Sequence, residues 1–252
     1  MSQPEIRILA DGDDLCRAAA EEFVRLADEA VRARGRFTVA LSGGSTPEAL
    51  YRLLAAEDGG FRVRVPWGQA HFFWGDERHV PPDHPDSNYR MASEAMLSRV
   101  PVPPGNVHRI PAENPDAAEA ATEYAETLRT FFDAAAGRFP RFDLILLGMG
   151  SDGHTASLFP GTDAIQEKIR LVAALWVEKL GAYRITLTVP VLNDAASVIF
   201  LVSGEGKAEA LRAVLEGPHR PDRFPAQLVF PREGRLLFLV DLAAARLLRQ
   251  PC

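Results

Sequence analysis

The chain has few of the residues that would place it in several familiar classes. It holds two cysteines, Cys16 and Cys252, far apart and with no Cys-x-x-Cys pair, so neither a disulfide framework nor a zinc site is expected. Apolar runs such as Leu144–Leu147 and Val198–Val202 fall far short of the roughly 20 residues of a membrane helix. The opening MSQPEIRILADGDD lacks the basic leader and apolar stretch of a secretory signal, so a cytoplasmic protein without membrane contact is the expectation. Lysine is scarce too: of 28 basic residues only Lys168, Lys179 and Lys207 are lysines. No basic run stands out, and 34 acidic residues bring the formal net charge to −6, which argues against nucleic acid as a partner. With 47% hydrophobic and 25% charged residues the composition is that of a globular protein, which excludes disorder and coiled coil. Repeats, low-complexity segments and clean linkers are all missing, so residues 1–252 read as a single domain.

What is present is an alternation of short apolar strands with amphipathic helices. Residues 14–34 carry Leu15, Ala18, Ala19, Phe23, Leu26, Ala30 and Val31 at helical spacing, with Asp13 as the expected cap and Gly35 as the stop. Strands are expected at Phe37–Leu41, Ala70–Trp74, Phe142–Leu147, Arg184–Val189, Ser197–Val202 and Leu236–Val240. Helices are expected over Pro47–Ala56, Asn88–Arg99, Pro115–Ala136 and Lys207–Glu216, and a last one is capped by Asp241. This order predicts an α/β fold, with a mostly parallel sheet covered by helices on both faces.

Four of the strands run into loops rich in glycine or charge. Leu41 leads into Ser42-Gly43-Gly44-Ser45-Thr46-Pro47, Trp74 into Gly75-Asp76-Glu77-Arg78, Leu147 into Gly148-Met149-Gly150-Ser151-Asp152-Gly153-His154, and Val202 into Ser203-Gly204-Glu205-Gly206-Lys207. In an open parallel sheet all four emerge at the carboxyl edge, where such folds bind ligands. The SGGSTP loop suits a phosphate: glycines permit close approach, Ser42, Ser45 and Thr46 offer hydroxyls, and a helix N-terminus follows. It also fits an ordinary strand-to-helix turn. Lys207 opens a helix, the wrong end for a cation, which points to an anion beside it or to a solvated surface position.

Gly148-x-Gly150-x-x-Gly153 has the form of a dinucleotide fingerprint, but the acidic residue about 20 positions on follows no strand, and Asp152 would face the pyrophosphate. Asp152 and His154 read instead as acid–base equipment, the carboxylate fixing the tautomer of an imidazole that accepts a proton from water. The other histidines, His71, His79, His84, His108 and His219, read as structural or surface residues. Those near Asp76, Asp83 and Asp86 match no metal-ligand spacing. Arg78 and Arg184 end this set, free to clamp a phosphate or polarise an ester carbonyl, or to pair with Asp76 or Glu77.

The blocks VALSGGSTPEALYRLLA (39–55), FFWGDERHVPPDHPDSNYRMA (72–92), FDLILLGMGSDGHTASLFPG (142–161), RITLTVPVLNDAASVIFLVSGEGKAEAL (184–211) and, more weakly, PAQLV (225–229) closely resemble the 6-phosphogluconolactonases. These belong to the group that includes glucosamine-6-phosphate isomerase/deaminase. The resemblance implies a Rossmann-like fold of the phosphosugar-isomerase type with no cofactor and no metal. It implies hydrolysis of the phosphosugar lactone 6-phospho-D-glucono-1,5-lactone in the oxidative pentose phosphate pathway, by a monomer. It also implies His154 as the base that activates water, Arg78 over the lactone or its phosphate, Asp76 in the sugar pocket, and Ser42–Thr46 (with Gly43 and Gly44), Arg184 and Lys207 on the phosphate. The chain departs from the family pattern in residues 162–183, where a proline-flanked basic segment is expected and Glu178-Lys179-Leu180-Gly181 stands. Two other readings stay in view: an isomerase/deaminase, whose carboxylate after the histidine is missing from Gly153–Phe159, and a sugar-phosphate sensor, which would carry a DNA-binding helix-turn-helix.

Overall fold

The computed structural model describes residues 4–135 and 137–249; Cys252 and Ala136, the expected end of the third helix, lie outside them. Among the described residues the strands are β1 Glu5–Leu9, β2 Phe37–Leu41, β3 Ala70–Trp74, β4 Asp76–Arg78, β5 Leu144–Leu147, β6 Val172–Val177, β7 Ala182–Leu187, β8 Ser197–Val202 and β9 Arg235–Asp241. The helices are α1 Gly12–Arg34, α2 Ser45–Ala55, α3 Asn88–Ala95, α4 Ala117–Phe132, α5 Val189–Leu192, α6 Ala208–Glu216 and α7 Leu242–Ala245. No helix among the described residues is long and apolar enough to cross a membrane.

Six strands form one sheet in the order β1-β9-β8-β5-β2-β3, every pair parallel. Strands β2, β5 and β8 bury every residue, which is why they read as unbroken apolar runs. Helices flank the sheet; α1 packs on β1, β2 and β9 and against α2. Full burial of each Leu, Val or Phe side chain contributes about 1.5–3 kcal/mol before entropy is counted. The neighbours Phe200 and Phe238 of β8 and β9 stack with ring centroids 4.5 Å apart. From β2 the chain steps outward to β3 and then returns to β5 on the other side of β2. The carboxyl ends of β2 and β5 therefore flank the topological switch point, where crevices open in such sheets.

A second sheet, β4-β7-β6, is antiparallel. Here the sequence-based expectation needs correction. Arg184 lies not on a strand of the parallel sheet but in β7, and Asp76–Arg78, read as loop, is β4. Two strands lie outside the sequence-based expectation: β6, within the apolar run Leu171–Val177, and the exposed edge strand β1. Helix α1 is capped by Asp11, whose side chain accepts from Asp14 N, rather than by Asp13. Helix α2 starts two residues before Pro47, at Ser45, while α3 gives way to a short 3₁₀ turn before Arg99. Asp241 caps the last helix as expected.

Candidate active site

Two tyrosines anchor the strand ends that carry the first loops. The Tyr51 hydroxyl, on α2, donates to Ser42 O and accepts from Ser42 N, both at 2.9 Å. Tyr124, on α4, does the same at Trp74, accepting from N at 2.9 Å and donating to O at 3.0 Å. Burial pushes both phenols above their ordinary range, so both stay protonated and able to donate. At α2 the cap is Gly44, with φ of 106° and no side-chain bond to the helix. The first-turn N–H groups of Ser45 and Thr46 are thus left uncapped, at the positive end of the helix dipole. Gly43 is required by contact: a Cβ there would lie 2.0 Å from Oδ1 of Asn88.

The loop after β5 folds back on itself, with Gly150 N donating to His154 O at 2.8 Å. His154 Nδ1 lies 2.5 Å from Oδ1 of Asp152, which also accepts from His154 N. An ionised carboxylate only accepts, so Nδ1 carries the proton and Nε2 is the ring nitrogen left to take another. Burial alone would raise the Asp152 carboxyl, but hydrogen bonds from His154 and from Lys179 outweigh it and hold the group far below the usual carboxylate range. The pair is tightly enclosed, since a Cβ on Gly150 would sit 2.1 Å from His154 Nδ1. Ala156, between His154 and Ser157, takes a left-handed φ of 47°, a strained choice for a residue with a side chain. Phe159 closes the floor, its ring centroid 4.2 Å from that of His154.

Opposite lies the antiparallel sheet. Strand β4 alternates: Asp76 and Arg78 line the cavity, while buried Glu77 turns to the start of α3. There it accepts from Asn88 N, Tyr89 N and the Ser87 hydroxyl. Burial pushes the Glu77 carboxyl up, opposed by those backbone N–H groups. Asp76 accepts from Ser157 Oγ at 2.7 Å, and Asn88 Nδ2 donates to its carbonyl. Arg78 and Arg184 are direct cross-strand partners, an arrangement that like charges disfavour. Burial and the neighbouring Arg78 lower the Arg184 guanidinium below its ordinary value. Among the described residues neither arginine forms an ion pair, with Asp76, Glu77 or any other carboxylate. Lys207 has no such partner either; expected to be the first residue of the helix, it stands at the cap position, and α6 begins one residue later at Ala208. Its loop is braced by Asp241, which accepts from Ser203 Oγ at 2.5 Å and from Gly204 N.

These pieces enclose one cavity of about 410 Å³. Ser42, Gly43, Gly44, Ser45, Thr46, Asp76, Arg78, His154, Arg184 and Lys207 all line it, while Asp152 stands behind His154 and outside the lining. The lining also holds Asn88, Ser157 and Lys179, which the motif reading did not single out as site residues. Asn88 and Ser157 lay inside the blocks that carry the resemblance, and Lys179 was one of three lysines in the chain. Of the other histidines, His71 and His108 contact each other at 3.2 Å and His79 meets Asn114 O, away from this lining.

The family model for glucosamine-6-phosphate isomerases/6-phosphogluconolactonase matches residues 10–238. The chain belongs to the glucosamine-6-phosphate isomerase/6-phosphogluconolactonase family. The 6-phosphogluconolactonase of Nostoc sp. is 44% identical over 239 residues, 95% of this chain and 96% of its own. That of Synechocystis sp. is 43% identical over 246 residues, 98% of this chain and 99% of its own. Among solved structures, 6-phosphogluconolactonase from Trypanosoma brucei superposes with a TM-score of 0.86 at 29% identity, covering 99% of this chain and all of that one. The family's α/β architecture, with its mostly parallel sheet between helices, is the one found here.

Proposed function

We propose that the cleft hydrolyses 6-phospho-D-glucono-1,5-lactone to 6-phosphogluconate, the lactone-opening step of the oxidative pentose phosphate pathway. The observation that carries this reading is a base dyad and three cations without ion-pair partners among the described residues, all around one cavity. A δ-lactone is an ester with a distant phosphate. It needs a base for water, positive charge where an oxyanion develops, and an anchor for the phosphate. His154 Nε2 takes a proton from water as the oxygen attacks C1, while Asp152 steadies the imidazolium. Arg78 faces the developing oxyanion. When the tetrahedral intermediate collapses, the bond from C1 to the ring oxygen breaks and that oxygen takes the proton from His154, leaving a carboxylic acid that ionises. The first turn of α2 with Ser42, Gly43, Gly44, Ser45 and Thr46, together with Arg184 and Lys207, holds the phosphate, and Asp76 meets the sugar hydroxyls.

No cofactor takes part in this scheme, and the active species is a monomer of one domain in the cytoplasm, a state that gel filtration of the purified chain checks. The activity test is proton release from freshly prepared phosphogluconolactone, measured against spontaneous opening. The expected result is rapid release from the phosphorylated lactone, much slower release from the unphosphorylated one, and no ammonia from glucosamine 6-phosphate. Ammonia release would favour the isomerase/deaminase reading, and a protein that binds the lactone without opening it would favour the sensor.

A further inference from the structure

One contact at the base is left unused by this scheme. Lys179 lies in the turn Glu178–Leu180 that joins β6 to β7, and its Nζ donates to Oδ2 of Asp152. The other oxygen of the same carboxylate holds His154 Nδ1. The ammonium also sits 4.6 Å from the Phe159 ring centroid, and that ring supports the imidazole. Lysine, carboxylate and imidazole thus form a chain closed by one aromatic ring, drawn from the loop after β5 and the turn between β6 and β7.

A carboxylate this close to an imidazole favours its protonated form, and a base already protonated at neutral pH cannot take a proton from water. A cation on the far oxygen offsets that effect. The charged groups around His154 are Asp152 on its own loop, Lys179 on the hairpin turn, Asp76 and Arg78 on β4, Arg184 on β7 and Lys207 before α6. Of these, Lys179 alone shares the carboxylate with the imidazole. Phe159 and Lys179 line both this cavity and a second groove, whose lining also holds Asp152, Trp176 and Tyr183, so the lysine fixes the carboxylate where it would otherwise be free to turn outward.

We propose that Lys179 is a positioning residue for the base: it fixes Asp152 against His154 and offsets the charge of the carboxylate, leaving Nε2 to take a proton from water. Resting on the reading of His154 as the base, this goes beyond it by giving the hairpin turn a share in the pH range of the reaction. The Lys179–Asp152 pair is partly exposed, with side-chain exposures of 51% and 33%, so its loss changes stability little and Lys179→Met folds. That variant keeps an apolar stem on Phe159 and removes the charge.

The experiment records kcat and KM from pH 5 to 8 for the wild type, Lys179→Met and Lys179→Arg, and follows the His154 ring protons by NMR over the same range. The expected result is an acid limb of kcat moved upward by about half a pH unit or more in Lys179→Met, restored in Lys179→Arg. The ring-proton titration moves the same way without any turnover. Coincident profiles and titrations would overturn the proposal, and so would a change confined to KM, which would make Lys179 a substrate-binding residue. Full activity in His154→Ala would instead overturn the base reading itself, an outcome that no Lys179 variant can mimic.

Discussion

Replacing Gly150 by alanine sets a methyl group against the Asp152–His154 pair. The added Cβ falls 2.1 Å from His154 Nδ1, 2.3 Å from Cε1 and 2.5 Å from Asp152 Oδ1. Ordinary contact begins near 3.4 Å, so the imidazole must retreat by about 1.3 Å or the loop must open. Gly150 is not among the glycines with positive φ, so alanine meets no backbone penalty and the effect reports the contact alone. A displacement of about 1 Å in a catalytic group costs on the order of a hundredfold in rate, equivalent to about 2.7 kcal/mol of barrier. The residues proposed to hold the phosphate lie on other segments, so kcat carries the loss and KM changes little. Steady-state proton release from the lactone, with circular dichroism to confirm folding, measures this. A folded Gly150→Ala protein with kcat within about threefold of wild type would refute the placement of His154 as the acting base.

Lys207→Ala removes a cation that has no carboxylate partner among the described residues. A hydrogen bond to a charged group contributes about 1.5–3 kcal/mol, so KM should rise roughly 10- to 100-fold with kcat far less affected; an unchanged KM removes Lys207 from the phosphate site. A second expectation concerns acid stability. Burial, then the charge of His71, push His108 down to about 4, against roughly 6.5 in the unfolded chain. The folded state therefore favours the neutral ring: its contribution is present above pH 6.5 and is lost as pH falls toward 4. Urea midpoints measured from pH 7 to 4 should fall less steeply for His108→Gln than for wild type, and parallel slopes would contradict the assignment.

Strands β2, β3, β5 and β8 were legible because they are buried on both faces and end in glycine-rich or charged loops. Burial of that kind leaves an apolar run that needs no partner to be recognised. Strand β4 could not be read this way. Asp76-Glu77-Arg78 is a strand only because Asp76, Glu77 and Arg78 pair with Thr186, Ile185 and Arg184, a distant contact that local composition does not record. The Asp152–His154 pair was legible because two positions in a tight loop bring the side chains together. Lys179 reaches the same carboxylate from 27 residues away through the β6–β7 turn, so its role depends on a hairpin that the motifs did not reveal. The tyrosine anchors at Ser42 and Trp74 follow the same logic. A tyrosine on a helix gives no local sign of which strand end it will hold.

The proposed reaction needs a base that activates water beside a cradle for phosphate. The most direct test is proton release from freshly made 6-phosphogluconolactone, above spontaneous hydrolysis, by the wild type and His154→Ala side by side. The expected result is rapid release by the wild type and a fall in kcat of about a hundredfold to ten-thousandfold in the variant, with the lactone still bound. Wild-type turnover by His154→Ala would contradict it.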